Sequence, residues 1–310
     1  MPAEFSLTAL MTIAITLIAI GSLICILYLR GFLYNKSEGP GLSSGKHNYK
    51  SIFGHKVYFT QEGEGDHILL LHGIGASHFV WRFITPKLAE THAVTAVDLL
   101  GFGLSDKPNT FKYDLDSQCD MILELLKNLG IKKTTVIGSS MGGTIALRLA
   151  QINPELFNKV VVLSPAADPK ITFFDLNRIS FLSPVVRPLV TERFVKQIMK
   201  RVYTDKKNIT DENIRIYSEP YLSSEGAVDS FVKSFSLLRD PRVFEQLDGI
   251  KNPVLIIWGQ KDRIIPFKFA QKIQKKIPHS LLEIHQTAGH HVQEDDPDWV
   301  LSKIFPFLKA

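Results

Sequence analysis

Seven short apolar runs frame this chain: "HKVYFTQEG", "HILLLHG", "AVTAVDLLGFG", "TTVIGSS", "KVVVLSPA", "PVLIIWGQKD" and "SLLEIHQ". Each has the length of a strand, and helical patterns fill most of the gaps between them. Strands alternating with helices predict a mostly parallel central sheet flanked by helices. Sheets of this kind bind ligands beyond the carboxyl ends of their strands. His72, Asp98, Ser140 and Asp262 all fall just after strand-like runs, so that edge is where chemistry is expected.

Within the fourth run, "TTVIGSSMGGTIALRLA" changes abruptly from strand to helix, with two serines set among glycines. The spacing Gly138-x-Ser140-x-Gly142 fits a strand-turn-helix elbow, in which the central residue is held in a strained conformation and the flanking glycines leave room for the bend. Ser140 is therefore a candidate nucleophile, and Ser139 reads as a small residue that fits the turn. A serine hydroxyl needs a base to take its proton, and that base needs a carboxylate to fix its tautomer. Asp262 follows "VLIIWG", His290 stands in "TAGHHVQEDDPD", and the order Ser, Asp, His is that of hydrolases built on such a sheet. His291 beside His290, and Asp168 after "LSPAA", remain alternatives. The negative charge that develops on a carbonyl oxygen needs preset N–H donors. Met141 directly after the elbow and Ile74 in "LLLHGIGAS" are the candidates, with His72 shaping that loop. Asp98 reads as a turn-fixing carboxylate, and Trp81 and Trp258 as packing.

Taken together, "LLLHGIGAS", "DLLGFGLSDKP", "VIGSSMGG", "IIWGQKDRIIP" and "AGHHVQEDDP" resemble the α/β-hydrolase superfamily over residues 51–310. The resemblance implies Ser140 as nucleophile, Asp262 as acid and His290 as base. Relatives that are epoxide hydrolases or dehalogenases carry aspartate at the nucleophile position, so Ser140 argues against both activities, whatever Tyr203, Tyr217 and Tyr221 suggest. No cofactor is expected. Nor is a metal, since "HH" followed by "EDD" lies on one loop and no ligand spacing recurs.

Phe5 to Leu29 is 25 residues without a charge, enough for a helix rising about 1.5 Å per residue to cross a hydrocarbon core of about 30 Å. Its start, "MPAE", lacks the basic residues of a cleaved signal, so a single-pass anchor is expected. Arg30 and Lys36 after it favour a cytoplasmic catalytic domain. Residues 30–50 read as a juxtamembrane segment and linker. The net charge of +5 comes without a dense basic tract, so nucleic acid is not an expected partner. Cys25 and Cys119 define neither a disulfide framework nor a metal cluster.

Between about 168 and 246 the strand pattern lapses, and a helical cap is expected there. From Lys170 to Lys207 it holds nine Lys/Arg against three Asp/Glu, with many apolar residues, a composition suited to an anionic lipid surface. The expected activity is membrane-anchored hydrolysis of carboxylic esters with apolar, lipid-like acyl chains. Two alternatives stand beside it: carbon–carbon bond hydrolysis on the same fold, and a noncatalytic receptor or scaffold.

Overall fold

The computed structural model describes residues 46–171, 181 and 183–310. Eight strands form one sheet: β1 (Lys46–Ile52), β2 (His55–Glu62), β3 (His67–Leu71), β4 (Ala93–Val97), β5 (Thr134–Ser139), β6 (Phe157–Leu163), β7 (Val254–Gly259) and β8 (Leu281–His285), in the order β1-β2-β4-β3-β5-β6-β7-β8. From β4 to β8 every pairing is parallel, while β1 and β2 run antiparallel at one edge. All seven predicted runs are strands. The eighth, β1, takes in Lys46–Lys50, which the sequence reading placed in the linker. It is an edge strand paired only with β2, and a strand with one open edge can be as polar as "KHNYKSI" without losing buried area.

Period-two alternation sorts the strand side chains into two cores. Leu69, Leu71, Val136, Val160, Val162, Ile256 and Trp258 face one layer; Ile68, Leu70, Ile137, Val161, Leu163, Leu255 and Ile257 face the other. Helices α1 (Leu115–Asn128) and α2 (Met141–Ile152) cover the first face. Helix α1 starts where the Asp114 carboxylate accepts the Ser117 N–H at 2.8 Å. Trp81 and Trp258 are fully buried, as packing residues are.

Strand order reverses at β3, whose neighbours β4 and β5 lie on opposite sides, and Leu71 at its end pairs with Gly138 of β5. This switch point opens a crevice between the strand ends. Between β6 and β7 the chain leaves the sheet through helical segments including α3 (Glu192–Val202), α4 (Asp211–Ser223) and α5 (Ala227–Lys233). Thr191 and Thr210 cap α3 and α4, accepting the N–H of Phe194 at 3.2 Å and of Asn213 at 3.1 Å. Met199, Tyr203, Ile214 and Tyr217 tie this insertion to the second core. After β7 come α6 (Lys268–Lys276) and, at the C-terminus, α7 (Pro297–Lys309). Among the described residues no helix is long and apolar enough to cross a membrane, and the expected span Phe5–Leu29 lies outside them.

Candidate active site

Ser140 directly follows β5 with φ 52° and ψ −115°, a left-handed conformation that a non-glycine residue adopts only under constraint. Its N–H donates to Leu163 O at 2.9 Å and its carbonyl accepts from Thr144 N at 3.1 Å, so sheet and helix fix the turn from both sides. Helix α2 starts against the end of β3. A β-carbon on Gly142 would stand 2.2 Å from the Leu71 carbonyl oxygen, which only glycine permits. Met141 is the first residue of α2, and its N–H is one of the donors a helix start leaves free. The loop after β3 lies against the serine: a β-carbon on Gly73 would be 3.0 Å from Ser140 Cβ and 3.7 Å from its Oγ. Ile74 therefore follows a residue in contact with Ser140. Gly75, at φ 78°, faces the cap, where a β-carbon would meet Phe231 at 3.1 Å and the Tyr221 hydroxyl at 3.3 Å.

The fold brings Asp262 and His290 into contact. Oδ2 of Asp262 lies 2.7 Å from Nδ1 of His290, and both residues are buried. The other oxygen, Oδ1, accepts the N–H groups of Ile264 and Ile265 at 2.8 Å each. Burial by itself raises the Asp262 pKa, but the attraction of the His290 ring, its hydrogen bond and these two N–H donors hold it below the usual carboxylate value. An ionised carboxylate accepts a hydrogen bond from the Nδ1–H of a neutral imidazole, which leaves Nε2 with its lone pair.

The alternatives are placed elsewhere. Ser139 is fully buried, its Oγ 3.5 Å from Gln293 Nε2, on the opposite side of the strand from its neighbour. Asp168 is held by Lys272 Nζ at 3.1 Å and by the Lys170 N–H at 2.9 Å. His291 is buried, and its Nδ1 lies 2.7 Å from Oε2 of the fully buried Glu294. Burial raises the Glu294 pKa, and His291 together with Arg82 more than reverses this.

His72 shapes the loop through both ring nitrogens. Nδ1 donates to Gly73 O at 2.7 Å and Nε2 accepts the Leu99 N–H at 3.0 Å. Asp98 fixes the following turn by accepting the Leu104 N–H at 2.7 Å, and it also pairs with His78 at 2.9 Å. Sequence reasoning passed over Arg82, paired with Glu294, and weighed Tyr203 and Tyr217 only against an epoxide reading, whereas both bond the same carboxylate. A signal existed for Arg82, a lone charge in the apolar stretch "HFVWRFITP".

The chain belongs to the alpha/beta hydrolase fold family, whose model matches residues 66–297. It is 30% identical to the uncharacterized hydrolase YugF of Bacillus subtilis over 268 residues, covering 84% of this chain and 96% of that protein. It is 27% identical to a 2-hydroxy-6-oxononadienedioate/2-hydroxy-6-oxononatrienedioate hydrolase of Pseudomonas putida, covering 82% and 92% of the two chains. Among solved structures it resembles an esterase from Exiguobacterium antarcticum, with a TM-score of 0.72, 25% identity, and coverage of 86% and 100%.

Proposed function

We propose that this α/β-hydrolase is a serine hydrolase cleaving carboxylic esters with apolar acyl chains through an acyl-enzyme. The observation that carries the reading is a strained serine at the sheet's switch point in a chain that also buries an Asp262–His290 pair at 2.7 Å. In this reading Ser140 Oγ attacks the ester carbonyl while His290 Nε2 takes its proton, and Asp262 stabilises the imidazolium. The N–H groups of Met141 and Ile74 receive the oxyanion. Collapse of the tetrahedral intermediate expels the alcohol, which takes the proton from His290. Water, deprotonated by the same histidine, then releases the acid and restores Ser140.

Phe231 and Tyr221 against Gly75 favour an apolar group beside the carbonyl. The membrane part of the reading rests on the charge-free run Phe5–Leu29 and on the cap's exposed Leu189, Phe194 and Ile198, interleaved with exposed Arg193 and Lys200. With Arg30 and Lys36 after the span, the catalytic domain is assigned to the cytoplasmic side. The partners in this reading are a small ester or lipid substrate and a membrane, with no nucleic acid.

A second reading, carbon–carbon bond hydrolysis, draws on the name of the Pseudomonas putida relative. Fluorophosphonate labelling of the full-length protein, with Ser140→Ala as control, tests the nucleophile. Turnover of p-nitrophenyl esters compared with a diketone acid then separates the two reactions. Wild-type protein that neither labels nor turns over either substrate would favour the scaffold.

A further inference from the structure

Glu294 is a buried charge for which the proposed chemistry has no use. Its carboxylate is fully buried and has four side-chain partners: Arg82 on Oε1, His291 Nδ1 at 2.7 Å, the Tyr203 hydroxyl at 2.8 Å and the Tyr217 hydroxyl at 3.0 Å, the last three on Oε2. Those partners come from three different parts of the molecule. Arg82 follows the short helix His78–Trp81 after the Ile74 loop, its guanidinium 4.2 Å from the Phe79 ring centre and 4.3 Å from that of Phe83. Tyr203 ends α3 and Tyr217 lies in α4, both in the cap. His291 adjoins His290 in sequence, and the two rings stack with centres 5.5 Å apart and planes 28° apart.

Backbone contacts extend the same junction. Asn208 of the cap donates its side-chain amide to Glu294 O at 2.8 Å, and His290 donates its N–H to Val202 O at 2.9 Å. The neighbouring Asp295 accepts from Gly289 N at 2.7 Å, Thr204 Oγ1 at 2.9 Å and Asp205 N at 3.0 Å. An ion pair taken out of water gains little net stability, because desolvation offsets most of the attraction. What a fully partnered buried carboxylate does give is direction: each donor has one place to be.

We propose that Glu294 is a positioning residue that sets the His290 ring, the Ile74 loop and the cap in one mutual geometry, acting through His291, Arg82, Tyr203 and Tyr217. The proposal rests on the reading of Ser140 and His290 as nucleophile and base. Displacing a base by about 1 Å costs on the order of 100-fold in rate, so small shifts at this junction register in turnover.

The test uses the full-length protein in detergent micelles, with p-nitrophenyl butyrate as substrate and fluorophosphonate titration to count active sites. Glu294→Gln keeps the side chain's shape and removes its charge. Because it also strands Arg82, the double variant Tyr203→Phe/Tyr217→Phe, which deletes two hydroxyls and no charge, is measured beside it. Expected are a fall in kcat per titrated site of about tenfold for the double variant and about 100-fold for Glu294→Gln, with KM for this short ester changed less than about threefold. A merely structural role lowers the titrated fraction and the melting temperature but leaves kcat per titrated site at the wild-type value. That result in the double variant would overturn the proposal. Wild-type protein that does not titrate at all would instead remove the nucleophile reading, and the positioning role with it.

Discussion

His290 holds its Nδ1 2.7 Å from Oδ2 of Asp262 while Asp168 spends its carboxylate on Lys272 and Lys170. Asp262→Asn replaces the acceptor with a group that forces the wrong imidazole tautomer, and should lower turnover by about 10³–10⁴-fold. Asp168→Asn should leave turnover within about threefold of wild type, its effect confined to a lost ion pair with the part-exposed Lys272. Steady-state kinetics on a p-nitrophenyl ester compares the two, and a greater loss in Asp168→Asn would transfer the acid role.

Ser140→Ala should abolish ester hydrolysis and leave the fold intact, whereas Ser139→Ala removes a buried hydroxyl that meets Gln293 and should keep most activity. Ser140→Gly should be equally inactive yet more stable than Ser140→Ala by about 1 kcal/mol, since glycine adopts the positive φ of this position without strain. Thermal unfolding of the paired variants reads the difference. Equal melting temperatures would mean that the elbow is not strained.

Gly142→Ala sets a methyl group 2.2 Å from the Leu71 carbonyl and 2.5 Å from that of His72, and neither backbone atom can turn aside. A loss of about 3 kcal/mol is expected, read as a lower denaturation midpoint. An unchanged midpoint would show that helix α2 can back away from β3.

At the amino ends of the central strands His67 bridges β4 and β5, with Nδ1 2.7 Å from Thr134 Oγ1 and Nε2 2.9 Å from Thr95 Oγ1, and burial lowers its pKa to about 4. The unfolded chain protonates this histidine near pH 6.5 and the folded one only near 4, so its neutral form contributes stability above pH 6.5 that is lost as pH falls through this window. The loss should reach about 3 kcal/mol. Denaturant titrations between pH 7 and 4 should show a flatter decline in His67→Gln than in wild type; parallel declines would refute the assignment.

A chain beginning at Lys46 keeps β1 and should be soluble in dispersed form and active on short esters. One beginning at Ser51 loses most of β1 and leaves β2 as a bare edge, so it should aggregate more readily and unfold at lower temperature. Light scattering and thermal melts of the two chains test this.

The strands and the elbow were legible because both are local: a buried strand announces itself by its apolar run, and the turn by its glycines. The Asp262–His290 pair was legible through order alone, since each residue stands just after a strand that must end at the same edge. Strand β1 was not, because an edge strand with one partner needs few apolar residues. The Glu294 junction was hidden for a different reason. Its members are up to 212 positions apart, and each taken singly, an arginine in an apolar stretch or a tyrosine in a helix, has many ordinary uses.

The cap leaves from β6 and returns to β7, which are neighbours in register from Val160↔Val254 to Leu163↔Ile257. Its two ends are therefore pinned by the sheet, one at the carboxyl end of β6 and the other at the amino end of its parallel neighbour β7, whatever lies between them. Closing such an excursion costs little more for a long one than for a short one, about 0.6 kcal/mol for each doubling of length. Length and internal sequence in the cap are then nearly free to drift or to be transplanted without disturbing the sheet that carries Ser140. What a transplanted cap cannot omit is a set of donors for Glu294 and Asp295, because those two carboxylates stay behind with the sheet.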